Sequence, residues 1–153
     1  MLIVFPLGLL ATAVIFDIIH LAADIVPFAE VAYWLIVAGL VGGAVAAPFG
    51  LVDWLAIPQG TRAKRIGAMH GGGNAVVLLL FLVSAFLRSD EPLTAPTSAY
   101  VLSFAGAALA LVTAWLGGEL VARLGVGVND GANVNAPSSL SGQPAATQRS
   151  RHV

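Results

Sequence analysis

His70 is the strongest candidate in this sequence for a cofactor or metal ligand, because it precedes Gly71-Gly72-Gly73 inside a long apolar stretch. Ionisable side chains are costly in such stretches, so each is a candidate for function. Three glycines leave space beside the imidazole for a neighbouring helix or for a flat cofactor such as haem. Three interpretations stay open: His70 ligates a haem, it ligates a metal, or it makes a helix contact and hydrogen-bonds to Asp53 or Glu119.

Asp53, Asn74 and Glu119 are expected to form a polar layer around His70. With antiparallel neighbouring helices, Asp53, His70 and Glu119 fall at nearly the same depth, about 5 Å inside the membrane boundary. Asn74 lies one turn deeper on the helix face of His70. This layer is the candidate cofactor-binding site.

The two carboxylates of this layer have alternative expected partners. Glu119 precedes Arg123 by four residues, which is the favourable order for an ion pair on a helix. Asp53 is expected either to be interfacial or to accept a hydrogen bond from Arg62 or Arg65.

Asp17 and His20 are three residues apart and share a helix face, near the opposite membrane boundary. The carboxylate and the imidazole could hydrogen-bond to each other, or both could contribute to a metal site. Two ligands do not complete such a site, so Asp17 and His20 are weak metal candidates.

One copy of the chain cannot provide two histidine ligands to the same haem iron. His20 and His70 differ in depth by roughly 20 Å at 1.5 Å of helix rise per residue. A haem at His70 would therefore need a second copy of the chain across a two-fold axis, or a ligand from a partner protein.

Four apolar segments must position these residues: 2–23, 31–57, 66–87 and 99–121. Each is long enough to cross a hydrocarbon core as a helix, and none shows the alternation of a membrane strand. The mean hydropathy is +0.91 and only 10% of residues are charged. The sequence predicts an all-α protein, a four-helix transmembrane bundle with antiparallel neighbours over 1–123. A polar cytoplasmic tail over 124–153 is expected to be disordered from about 142, while 126–140 could lie against the bundle.

Cationic residues predict the orientation. Six of the seven lie in the second connection or after the fourth segment. The seventh, Arg88, lies in the third connection, and the first connection has none. The excess predicts cytoplasmic termini in a bacterial inner membrane. The six are Arg62, Lys64, Arg65, Arg123, Arg149 and Arg151.

Small residues recur four apart in the apolar segments and predict close helix packing, either within the bundle or at a homodimer face. They include Gly39, Gly43 and Ala47 in the second segment and Gly106, Ala110 and Ala114 in the fourth. Pro48 is expected to kink the second helix.

Composition excludes several functions. The chain has no cysteine, which rules out disulfides and thiolate chemistry of its own. A net charge of -1 provides no basic surface for nucleic acid. The apolar start lacks the charged region and cleavage site of a signal peptide. No catalytic motif is present, so an enzyme acting on its own is not expected.

Four segments of the chain resemble a family of small bacterial membrane proteins, domain of unknown function 2231 (DUF2231). They are 39–58, 62–70, 135–140 and, most specifically, 115–128, Trp-Leu-Gly-Gly-Glu-Leu-Val-Ala-Arg-Leu-Gly-Val-Gly-Val. The resemblance implies a four-helix membrane protein without an established activity, in a family where some members are fused to or encoded beside Rieske-type or other redox proteins.

The chain departs from this family at two places. Members usually carry His-Pro just before the residue that matches Met1, so the natural start is expected upstream and its histidine near the layer of His70. The acidic pair that follows the Gly-Val-Gly-Val run in the family is Asn129-Asp130 here, which weakens a metal role for the tail.

These observations favour three functions. The first is an accessory or electron-transfer component of a membrane redox system, with His70 as cofactor ligand. The second is a structural or assembly protein in which the polar residues only hold helices together. The third, a small ion or proton permease, is less favoured because no inverted repeat is evident.

Overall fold

The computed structural model describes residues 3–145, and its main elements are four long helices. They are α1 (Val4–Ala23), α2 (Pro27–Ala56), α3 (Arg62–Arg88) and α4 (Thr97–Gly118). A π-helical turn (Glu119–Arg123) extends α4, and short 3-10 turns cover Pro92–Thr94 and Ser139–Ser141. No strand occurs among the described residues. The expected all-α four-helix bundle is confirmed.

All four helices are long and apolar enough to cross a membrane. Two of them begin four residues earlier than hydropathy predicts. Pro27 occupies the first position of α2, where its fixed φ suits a helix and its missing N–H costs nothing. Thr61 caps α3 by accepting a hydrogen bond from the Lys64 amide, so residues 62–65, three of which are cationic, form the first turn of α3.

The helices form two antiparallel hairpins, α1 with α2 and α3 with α4, which meet mainly along α2 and α3. Buried residues from three helices make the core between them: Leu10, Ala13, Ala32, Ile36, Val77, Phe81 and Ala85. We call the end with the α1–α2 and α3–α4 connections the Arg88 end. The other end, with the α2–α3 connection, is the Lys64 end.

Glycines allow the hairpins to pack closely. A Cβ atom at Gly39 would lie 2.7 Å from the Leu10 side chain, and one at Gly106 would lie 2.9 Å from Phe81. At Gly43 the same test gives 2.6 Å to Leu78, across the α2–α3 contact. Gly39, Gly43 and Gly106 therefore serve packing inside the bundle, whereas Ala47 and Ala114 are exposed.

Large apolar side chains cover the outside of all four helices, among them Ile15, Val45, Phe86 and Leu111. An outer surface of this kind suits lipid rather than water. Pro48 is exposed and α2 continues through it as far as Ala56.

The segment after the π turn has both exposed and half-buried residues. Val134 and Leu140 are 98% and 95% exposed, whereas Val126 is half-buried and its amide donates to the Leu120 carbonyl at 2.8 Å. That 126–140 lies against the helices stays a prediction. Disorder from residue 142 stays a prediction, and residues 146–153 lie outside the described part.

Candidate functional site

The Arg88 end contains a fully buried ion pair between α1 and α3. Arg88 Nη1 donates to Asp17 Oδ1 at 2.7 Å and Nη2 donates to Oδ2 at 2.8 Å. Both side chains are 0% exposed. The two parallel hydrogen bonds match the planar guanidinium to the planar carboxylate, which is the strongest geometry for such a pair.

Two serines complete this buried cluster. Ser103 of α4 donates to Asp17 Oδ2 at 3.2 Å and lies 3.2 Å from Arg88 Nη2. Ser84 accepts from Arg88 Nε at 3.2 Å and donates to the Ala99 carbonyl at 2.7 Å. The cluster thus joins α1, α3 and α4, and every buried polar side-chain atom in the described chain has a hydrogen-bond partner.

His20 does not pair with Asp17, although the two share a helix face. Its Nδ1 lies 3.2 Å from the Ile25 carbonyl, which can only accept, so Nδ1 carries the proton. The imidazole stacks on the Tyr100 ring with centroids 6.1 Å apart. The structure therefore gives Asp17 and His20 separate partners, and Asp17 has both carboxylate oxygens engaged.

His70 lies between α3 and α4 with both ring nitrogens hydrogen-bonded. Nδ1 donates to the Thr113 carbonyl at 2.8 Å, and Nε2 accepts from Asn74 Nδ2 at 3.2 Å. A Cβ atom at Gly117 would lie 3.1 Å from the imidazole, so this α4 glycine makes room for the ring. Asn74 thus lies against the imidazole, whereas the expected direct bond from His70 to a carboxylate is not formed.

The other two members of the expected polar layer lie elsewhere. Glu119 accepts a hydrogen bond from Arg62 at 3.0 Å, and it forms no ion pair with Arg123. Asp53 is exposed, and the described residues provide it with no hydrogen bond or ion pair, so neither Arg62 nor Arg65 binds it. The layer does not converge because α2 turns Asp53 away from the bundle.

Of the three glycines after His70, only Gly73 contacts a neighbouring helix. A Cβ atom there would lie 2.6 Å from Thr113 Cγ2, whereas one at Gly71 or Gly72 would meet nothing within 4 Å. The glycine run therefore serves helix packing on one side and leaves bare backbone on the other.

Lys64 is a second buried cation, which the sequence pattern did not single out. Its ammonium donates to the Trp54 carbonyl at 2.7 Å and lies 4.0 Å above the Trp54 ring. The last carbonyls of a helix have no partners within the helix and carry partial negative charge. Lys64 therefore caps α2 from the first turn of α3, and the spacing Trp54-x9-Lys64 across a short turn is the signal that could have indicated it.

Metal binding has little geometric support. Within residues 3–145, no three His, Cys, Asp or Glu side chains are grouped to hold a metal ion. Asp17 and His20 as ligands stay a prediction.

A model of the family described as predicted membrane protein (DUF2231) matches residues 1–130, which include all four helices, and this confirms the resemblance. No curated protein and no solved structure matches the chain. The chain therefore belongs to the DUF2231 family of membrane proteins.

Proposed function

We propose that this protein is a membrane scaffold, a helical bundle that holds a transmembrane helix of a partner protein or of a second copy. The observation that carries the proposal is that three ionisable side chains inside the bundle, those of Asp17, Arg88 and His70, are hydrogen-bonded within the chain. Asp17 and Arg88 neutralise each other, and both nitrogens of His70 are engaged. Because these side chains are already bonded within the chain, we infer that they hold the helices together in one arrangement.

A flat face on α3 supports the binding of a partner helix. Ala68, Gly71, Gly72 and Ala75 are exposed near the Lys64 end. Small residues in this arrangement let a second helix backbone approach closely in lipid.

The proposal includes a location in a bacterial inner membrane with both termini in the cytoplasm. Cationic residues at the Lys64 end support this orientation. Arg149 and Arg151, which add to the count, lie outside the described residues and are placed by the sequence alone.

A photocrosslinking residue at Ala68 tests the scaffold proposal in the native membrane. We expect crosslinks to one discrete membrane protein or to a second copy, and we expect Gly72→Leu to reduce them. Gly50→Leu is the matched control, because Gly50 is also exposed with nothing within 4 Å of an added Cβ. Crosslinks to lipid alone, or equal losses in both variants, would contradict the proposal.

The electron-transfer hypothesis predicts a haem bound at His70, which an absorption spectrum would detect. A haem at His70 would have to displace Asn74 from Nε2. Protein purified from haem-replete cells is expected to lack a Soret band. A Soret band that His70→Ala removes and Asn74→Ala retains would replace the scaffold proposal with the redox one.

A further inference from the structure

An amphipathic cleft opens between α1 and α4 at the Arg88 end, outside the buried ion pair. Its volume is about 460 Å³, which is large enough for a lipid headgroup. One face of α1 and one face of α4 form its walls, and the 3-10 turn 92–94 closes its top. Its lining includes His20, Leu21, Asp24, Thr97, Tyr100, Val101 and Phe104.

Tyr100 provides the cleft with a polar atom that has no partner in the described chain. The residue is only 6% exposed, and its ring is held 4.5 Å from the Arg88 guanidinium and against His20. Its hydroxyl makes no hydrogen bond with residues 3–145, yet it is not among the buried unpaired atoms, so it is accessible from the cleft. A fixed ring with an open hydroxyl is arranged to bond to a ligand.

The first turn of α4 provides further donors beside Tyr100. No side chain caps this helix, and the first backbone bond there runs from the Ala99 amide to the Pro96 carbonyl at 2.9 Å. The amides of Thr97 and Ser98 thus have no acceptor within the described residues. Open amides and the positive end of a helix dipole favour a phosphate.

The α1 wall provides acceptors instead of donors. Because His20 Nδ1 donates to Ile25, its Nε2 is left as an acceptor. Asp24 ends α1 with a φ of 54° and has no hydrogen bond or ion pair with the described chain. A carboxylate and an imidazole acceptor favour an ammonium group with N–H donors.

The acidic charge at the Arg88 end favours binding of a zwitterionic ligand over an anionic one. Four acidic residues lie in its two connections or next to them, and its one cation, Arg88, is neutralised by Asp17. They are Asp24, Glu30, Asp90 and Glu91. A lipid with net negative charge would meet this field unfavourably, whereas an ammonium group offsets it.

We propose that the cleft binds an aminophospholipid, with its phosphate at Tyr100 and the start of α4 and its primary ammonium at Asp24 and His20. Leu21, Val101 and Phe104 then line the path of the acyl chains toward the bilayer interior. The proposal is independent of the scaffold function and concerns the opposite end of the bundle.

Native mass spectrometry of the full chain in detergent tests this proposal. The protein is titrated with dioleoyl phosphatidylethanolamine, phosphatidylcholine or phosphatidylglycerol. We expect phosphatidylethanolamine to bind most tightly, because the quaternary amine of choline has no N–H donor and phosphatidylglycerol has no cation. Tyr100→Phe keeps the ring and removes one hydrogen bond, so it should weaken phosphatidylethanolamine binding about two- to tenfold.

Two matched variants complete the experiment. Tyr33→Phe removes a tyrosine hydroxyl outside the cleft and should leave binding unchanged. Asp24→Asn, whose amide tolerates the same backbone conformation, should reduce the preference for phosphatidylethanolamine over phosphatidylcholine. Equal binding of the three lipids, or wild-type binding by a folded Tyr100→Phe protein, would overturn the proposal.

Discussion

At the scale of single residues, burial of Asp17 and Arg88 is favourable only because each has the other. Moving either charge from water into a low-dielectric interior costs several kcal/mol, and their attraction offsets this only when the remaining hydrogen bonds are also made. Ser84 and Ser103 make those bonds. The cluster therefore specifies how α1, α3 and α4 are rotated relative to each other.

Asp17→Asn should destabilise the bundle by about 3–5 kcal/mol, because it leaves the Arg88 guanidinium buried without a counter-charge. Thermal unfolding in detergent, followed by circular dichroism, measures the effect. The double variant Asp17→Leu with Arg88→Met removes both charges and should recover most of the loss. A double variant no more stable than Asp17→Asn would show that the cluster acts through more than charge pairing.

The sequence indicates which residues of the candidate sites are unusual, but it does not indicate which atoms they bond to. Ionisable side chains in apolar segments identified Asp17, His20 and His70, and the distribution of cationic residues identified Arg88 in a connection, because both are local properties of the sequence. Which atoms meet depends on the rotation of each helix about its axis, and this is decided by packing across the bundle. Sequence spacing therefore suggests His20, three residues away, as a partner of Asp17, whereas the partner in the fold is Arg88, 71 residues away.

At the scale of helices, small residues have two different uses. Gly39, Gly43 and Gly106 lie where a neighbouring side chain approaches too closely for a Cβ atom, whereas Gly50 and Gly72 face outward. Spacing along the sequence does not distinguish these groups, since both occur in the same apolar segments. Only the contacts between helices separate glycines that stabilise the bundle from those that are open to a partner.

Gly43→Leu is expected to lower the thermal unfolding midpoint, because the new side chain would meet Leu78 at the α2–α3 contact. Gly50→Leu on the same helix should leave the midpoint unchanged or raise it slightly, since leucine favours the helix more than glycine does. Thermal unfolding of both variants in one detergent provides the comparison. An equal midpoint for both would mean that α2 rotates away from α3 without cost.

Lys64→Met tests the capping of α2 by α3. Methionine keeps most of the side-chain length but removes the ammonium, so the Trp54 carbonyl keeps only the Ile57 amide as a donor and the ring loses its cation. We expect a loss of about 1.5–3 kcal/mol, the range for a hydrogen bond to a charged group. Arg65→Met is the control, because Arg65 is exposed at the next position. Similar unfolding midpoints for the two variants would contradict the capping role.

At the scale of the whole molecule, the two ends of the bundle differ in charge. The one cation of the Arg88 end is neutralised inside the bundle, so that end presents acidic side chains. The Lys64 end presents Arg62, Arg65 and Arg123. The sequence alone predicts the different charges of the connections. That Arg88 is neutralised by Asp17 is known only from the fold.

Cysteine labelling tests the proposed orientation, in which the Lys64 end faces the cytoplasm. The chain has no cysteine of its own, so no native thiol is labelled. Gln59→Cys and Asp90→Cys place single thiols at exposed positions in connections at opposite ends. With cationic residues held in the cytoplasm, a membrane-impermeant maleimide should label Asp90→Cys in intact cells. It should label Gln59→Cys only after the membrane is opened. The reverse pattern would invert the proposed orientation, and it would also place the lipid cleft on the cytoplasmic leaflet. Labelling of both thiols in intact cells would show that the chain inserts in two orientations, so that the charge difference between the ends is too small to select one.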